Sequence, residues 1–101
     1  MIVVRFKVKC LPEKTDQALA LFRDIVAASR PLDGVIHFDM GRDITDPDSF
    51  LAIEVFEDRA VLDRQESLPE VKKTMGLFQE LLAGEPEESI FHVSSPEPLG
   101  A

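Results

Sequence analysis

At 101 residues the chain is one domain, near the lower end of what sustains a core without disulfide or metal staples. Its composition, 45% hydrophobic and 30% charged with a net charge of −8, is that of a soluble globular protein. It argues against nucleic acid or an anionic membrane as the main partner, since both call for a basic footprint. The single cysteine, Cys10, excludes an intrachain disulfide framework and a cysteine-rich metal site, and it fits a reducing compartment.

The chain opens on "MIVVRFKVKC", too short and too charged for a signal peptide or a membrane span, so a cytoplasmic location is expected. The segment alternates cleanly. Ile2, Val4, Phe6, Val8 and Cys10 share one face, and Val3, Arg5, Lys7 and Lys9 the other, as in a strand covered on one side. After Pro12 the period changes. Ala18, Leu19, Phe22, Ile25 and Val26 recur at three- and four-residue steps, which predicts an amphipathic helix over "PEKTDQALALFRDIVAASR". Pro31 stops it.

A turn at "LDG" leads into a second alternating strand, "VIHFDMGRD", with Ile36, Phe38 and Met40 set against Val35, His37 and Asp39. The acidic segment "DITDPDS" reads as a longer hairpin loop before a third strand, "SFLAIEVFED". In that strand Leu51, Ile53 and Val55 point one way and Phe50, Ala52 and Phe56 the other, with Glu54 the one polar interruption. A second helical region follows, broken near Leu68–Pro69, because a proline restricts the residue before it. Val71, Met75, Phe78 and Leu82 form its apolar stripe, with Leu81 widening it. Gly76 inside it suggests close packing, and Gly84 ends it. "SIFHV" is a short last strand, the domain covers 1–94, and 95–101 is a flexible tail.

The order is β-α-β-β-α-β, so the expected class is α+β: a ferredoxin-like four-stranded antiparallel sheet with its helices on one face. Two helices cover one face, yet the third strand is apolar on both. A second copy is the simplest cover for the other face, and a two-fold pairing would bury on the order of 1,600 Å². A homodimer is therefore expected.

"MIVVRFKVKCLPEKTDQALALFRDIVAASR", "GVIHFDMGRDITDPDSFLAIEVFED" and "AVLDRQESLPEVKKTMGLFQELL" together resemble the antibiotic biosynthesis monooxygenase (ABM) family, over roughly Ile2 to Val93. The resemblance implies a dimeric α+β barrel with a pocket between each subunit's sheet and its own helices. It also implies chemistry like that of small oxygenases that use no metal, haem or flavin and act on phenols or quinols. This chain departs from the family at three places: Phe56 stands where Trp is common, Phe38 where Tyr is common, and Gln65 where His is common. Such oxygenation needs an anionic substrate, so a group must take or stabilise a phenolic proton. Phe has none to offer, and Gln65 hydrogen-bonds without acting as a base. Haem-degrading relatives need an axial histidine; Met75 stands near that place, and haem is set aside.

The expected pocket residues are Phe22, Phe38, Phe56, Arg64, Met75 and Phe78, with Gln65 orienting a substrate oxygen and His37 as a second catalytic candidate. For each apolar residue taken singly, core is the plainer reading, and for His37 it is a position on the opposite face. His37 and His92, without a Cys or carboxylate at ligand spacing, make no metal site, and no cofactor is expected. Glu54, if buried without a partner, would carry a raised pKa useful for catalysis; the favoured expectation is pairing by Arg5 or Lys7 from the neighbouring strand, since buried charges seldom stand alone. Arg42 and Asp43 read either as a grip on an anionic substrate or, the favoured expectation, as an ion pair that stabilises the turn. Two functions fit: a cofactor-independent monooxygenase acting on a small phenol or quinol, or a non-catalytic small-molecule-binding homodimer that has lost the proton-handling residues.

Overall fold

In the computed structural model, residues 1–98 are described; residues 99–101 of the expected tail lie outside them. Strand β1 (Ile2–Lys9) is followed by a 3₁₀ turn at Pro12–Lys14 and helix α1 (Thr15–Ser29). Strands β2 (Val35–Asp43) and β3 (Asp46–Phe56) form a hairpin. Three helices, α2 (Arg59–Glu66), α3 (Pro69–Gly76) and the single turn α4 (Phe78–Leu81), lead to β4 (Glu87–His92). The strands pair antiparallel in the order β2-β3-β1-β4, the ferredoxin-like arrangement. Among the described residues no helix is long and apolar enough to cross a membrane.

Register decides what each face carries, because directly paired residues share a face. The rows Ile2/Phe56, Val4/Glu54, Phe6/Ala52 and Val8/Phe50 lie under the helices. There Val4, Val8, Phe50, Ala52 and Phe56 are buried against Phe22 and Ile25 of α1 and Val71 of α3. The rows Val3/Val55, Arg5/Ile53 and Lys7/Leu51 lie on the uncovered face. Phe22 meets Phe50, and Phe38 meets Phe56, edge to face, at ring separations of 5.2 and 6.5 Å, a favoured aromatic geometry.

The helix boundaries follow local chemistry. Asp58 caps α2, its side chain accepting from the Val61 N–H at 3.1 Å. Pro69 opens α3, where its missing N–H costs nothing. Gly34 turns the chain into β2 at φ +88°, and a Cβ there would lie 2.4 Å from Val61 Cγ2, so both backbone and space demand glycine.

Several expectations are corrected. The hairpin is tight: Ile44 and Thr45 join β2, which spans the expected Val35–Asp43, to a β3 that begins at Asp46, three residues before the expected start. Pro47 lies inside β3 at an irregularity in its pairing with β2, where a missing N–H is tolerated. Asp43 does not pair with Arg42, since neighbours on a strand point to opposite faces. Its carboxylate instead accepts from the Thr45 N–H and hydroxyl and meets Lys7 at 3.1 Å, while Arg42 lies 5.1 Å from the Phe50 ring. The apolar stripe of the last helical region is interrupted at Leu77, so Leu81 rather than Met75 is its fully buried member. Gly76 ends α3, and a Cβ there would meet nothing within 4 Å.

Candidate functional site

Between the helix-covered face of the sheet and helices α1, α2 and α3 lies a cavity of about 210 Å³. Its apolar wall includes Val4 and Phe6 of β1, Phe22 and Ile25 of α1, Phe38 and Met40 of β2, and Val71 and Met75 of α3. The volume lies below the roughly 300–1,000 Å³ usual for drug-sized ligands, so it suits a small ring system. Four polar side chains reach it: Glu54, Gln65, Glu66 and Glu88.

Glu54 is the most consequential of them. It stands on β3 between Val4 and Phe38 in the ladder and is 9% exposed. Among the described residues no hydrogen bond or ion pair is made to its carboxyl. Arg5 and Lys7 do not reach it, contrary to the expected pairing, because they pair with Ile53 and Leu51 on the other side of the sheet. Lys7 is already engaged by Asp43. Burial, reinforced by the negative charges of Glu88 and then Glu66, pushes the Glu54 carboxyl up to about 8. Glu66 is itself shifted upward by burial and by Glu88, against an opposing contribution from Arg59.

Gln65 is 4% exposed, and its Nε2 donates to Ser29 Oγ at 3.1 Å. That bond fixes the amide against the last residue of α1 while the side chain still lines the cavity. Phe22, Phe38, Met75 and Phe78 also line it. Phe56 does not. It is fully buried behind Phe38 and belongs to the core. Arg64 is exposed and donates from Nη2 to the Asp33 carbonyl at 3.3 Å, away from the cavity wall. His37 pairs with Val55, which puts it on the uncovered face, exposed. A register irregularity between Val35 and His37 leaves Ile36 exposed as well, rather than beside Phe38 and Met40.

A wider groove runs between α1 and β2 past Arg23, Arg30 and Arg42. Two of these arginines are occupied: Arg30 donates to the Phe38 carbonyl at 2.9 Å and to Asp39 at 3.1 Å, and Arg42 covers Phe50. Among the described residues no three His, Cys, Asp or Glu side chains are placed to hold a metal ion. Cys10 is fully buried, and burial raises its thiol, so it is packed as a small apolar group rather than a nucleophile.

A family model for antibiotic biosynthesis monooxygenase matches residues 1–77, about three-quarters of the length. The chain belongs to the antibiotic biosynthesis monooxygenase family. An uncharacterized protein of Synechocystis sp. is 31% identical over 98 residues, which is 97% of this chain and 67% of that protein. A crystal structure of an antibiotic biosynthesis monooxygenase superposes with a TM-score of 0.86 at 24% identity, covering 94% of this chain and all of the other. Rv0793 from Mycobacterium tuberculosis superposes at 0.87 with 16% identity, over 96% and 98% of the two chains. At such identities the two structures speak for a shared fold.

Within this ABM fold, the cavity residues not singled out from sequence include Phe6, Glu66 and Glu88, while Glu54 takes the unpaired alternative rather than the favoured pairing. The signal for Glu54 was present. Its even position puts it with Phe50, Ala52 and Phe56, while Arg5 and Lys7 fall on the face opposite Val4 and Val8. Glu88 was missed because β4 begins two residues before "SIFHV", at Glu87.

Proposed function

We propose that the protein is a homodimeric ABM-type monooxygenase that needs no metal, haem or flavin and acts on a small phenol or quinol held between sheet and helices. The observation that carries this reading is Glu54: a buried side chain whose carboxyl has no partner among the described residues, set in the largely apolar wall of the cavity. Cofactor-free oxygenation starts when a ring hydroxyl gives up its proton and the electron-rich anion meets dioxygen. Glu54 supplies the proton acceptor that Phe38, Phe56 and Gln65 do not. A carboxyl near 8 is well matched to that transfer at mildly alkaline pH, since the best base titrates near the working pH. Gln65, steadied by Ser29, orients the substrate oxygen, and the apolar wall keeps water from the anion.

The dimer rests on the uncovered face of the sheet. Ile53 is 40% exposed and Phe91 51% exposed there, beside Leu51 and Val55. A two-fold contact would cover this patch without touching the cavity on the opposite face.

The test is oxygen uptake with a panel of phenols, quinols and anthrones, with chelator present. Turnover that rises with pH through about 8 and falls at least tenfold in Glu54→Gln supports the reading. The other reading, a binding protein without catalysis, is favoured by the loss of titratable groups at Phe38 and Gln65. It predicts no turnover anywhere in the panel, together with thermal stabilisation by the same compounds.

A further inference from the structure

We infer that the cavity selects aromatic ligands carrying an ammonium group beside the ring hydroxyl, and turns away anionic ones. This rests on the cavity being the ligand site, and it adds the charge class of the ligand.

Three carboxyl side chains from three different elements line one small cavity: Glu54 from β3, Glu66 from α2 and Glu88 from β4. No Lys, Arg or His is among the residues lining it. Glu54 is inside, while Glu66 and Glu88 are exposed at its rim. The other elements packed around Glu54 present no charge to it: Val4 from β1, Phe38 from β2, Phe22 from α1 and Val71 from α3. Arg59, whose charge bears on Glu66 from outside the lining, is paired with Asp63 at 3.1 Å, and Lys7 lies across the sheet, paired with Asp43. Glu54 is thus a side chain nine-tenths buried whose carboxyl is unpartnered among the described residues and opens into a cavity with two more carboxyls at its rim.

A buried carboxyl without a partner is costly, and a ligand restores what the protein leaves unmet. A ring hydroxyl satisfies Glu54 alone and leaves the rim carboxylates facing each other. An ammonium group between Glu66 and Glu88 relieves their repulsion as well, and the rings of Phe6 and Phe78, 6.2 Å apart beside the rim, offer π faces to the same charge. A carboxylate on the ligand meets the like charges of Glu66 and Glu88 at the rim, and no cationic side chain lines the cavity to offset them. The metal alternative lacks geometry, since these three side chains do not converge on one point.

Three probes with the same phenol ring separate the outcomes: tyramine, tyrosol and 4-hydroxyphenylacetate, which differ only in an ammonium, a hydroxyl or a carboxylate on the side chain. Calorimetric titration at pH 7 should find tyramine at least tenfold tighter than tyrosol, and 4-hydroxyphenylacetate weaker than both. Tyramine binding should also release more protons than tyrosol binding, read from the buffer dependence of the enthalpy, because the cation lowers carboxyls that burial had raised. Glu66→Gln and Glu88→Gln should each shrink the tyramine-to-tyrosol ratio at least threefold. Glu13→Gln, an exposed carboxyl outside the cavity, should leave it unchanged. Equal binding of tyramine and tyrosol, or preference for the carboxylate, overturns the charge selection while leaving the cavity as a ligand site. Failure of all three to bind, with no NMR shift at Gln65 or Phe38, overturns the cavity reading and this inference with it.

Discussion

On its helix-covered side β3 contributes Phe50, Ala52, Glu54 and Phe56; on its uncovered side it contributes Leu51, Ile53 and Val55. The first set is buried yet contains an ionisable group with no partner among the described residues. The second contains no polar residue yet faces outward, with Ile53 40% exposed. A strand selected only for stability would do the reverse, burying all its apolar side chains and solvating its carboxylate. The difference teaches where the proposed function divides the strand: the covered carboxyl is assigned the proposed chemistry or binding, and the open apolar face the proposed dimer contact.

The comparison breaks most visibly at Phe56, the buried end of the covered side. Phe56→Ala should cost about 3–5 kcal/mol in denaturant unfolding, because it empties a fully enclosed site beneath Phe38. A loss under 1 kcal/mol would mean the covered side is looser than its burial implies. On the uncovered side, Ile53→Lys should weaken the proposed dimer more than about a hundredfold, since a two-fold interface receives the change twice. Analytical ultracentrifugation checks this. A wild-type chain that sediments as a monomer at micromolar concentration removes the interface altogether.

A subtler effect is expected from pH. The Glu54 carboxyl is raised from 4.5 to about 8, so the folded protein holds a proton that the unfolded chain releases above about 4.5. Stability contributed by this group is therefore fully present below pH 4.5 and declines as pH rises toward 8, by on the order of 1 kcal/mol per pH unit at most. Glu54→Gln should remove that decline, so urea midpoints measured from pH 5 to 8.5 should be flatter in the variant. A variant profile as steep as the wild type's would place the proton elsewhere. The smallest effect sharpens the uncovered side. Asp43 is held at about 2, first by the Thr45 hydroxyl and N–H and then by Lys7. Lys7→Met should thus raise its titration in NMR only partly, leaving it below the usual carboxylate range.

Much of the fold was legible from alternation and period alone. β1 and α1 announce themselves because one face of each is apolar at the right spacing, and Pro69 marks the break between α2 and α3. The candidate site was legible in part. Phe22, Phe38, Met75, Phe78 and Gln65 reach the cavity, whereas Phe56 packs behind it, Arg64 turns outward and His37 lies across the sheet. Spacing along one element tells which residues share a face; it does not tell which of them a neighbouring element already covers.

What this sequence determined by itself is the element order, the two-faced character of the strands and the family. Each of these is written in local periodicity or in chain-long similarity, and neither depends on knowing what packs against what. Only the tertiary structure decided that Glu54 faces the helices without a cation and that Glu66 and Glu88 stand at the same opening. Those facts depend on strand register and on how α2 and β4 are brought beside β3. In a sheet a shift of one residue exchanges the two faces, so a carboxylate paired in one register is left alone in the other.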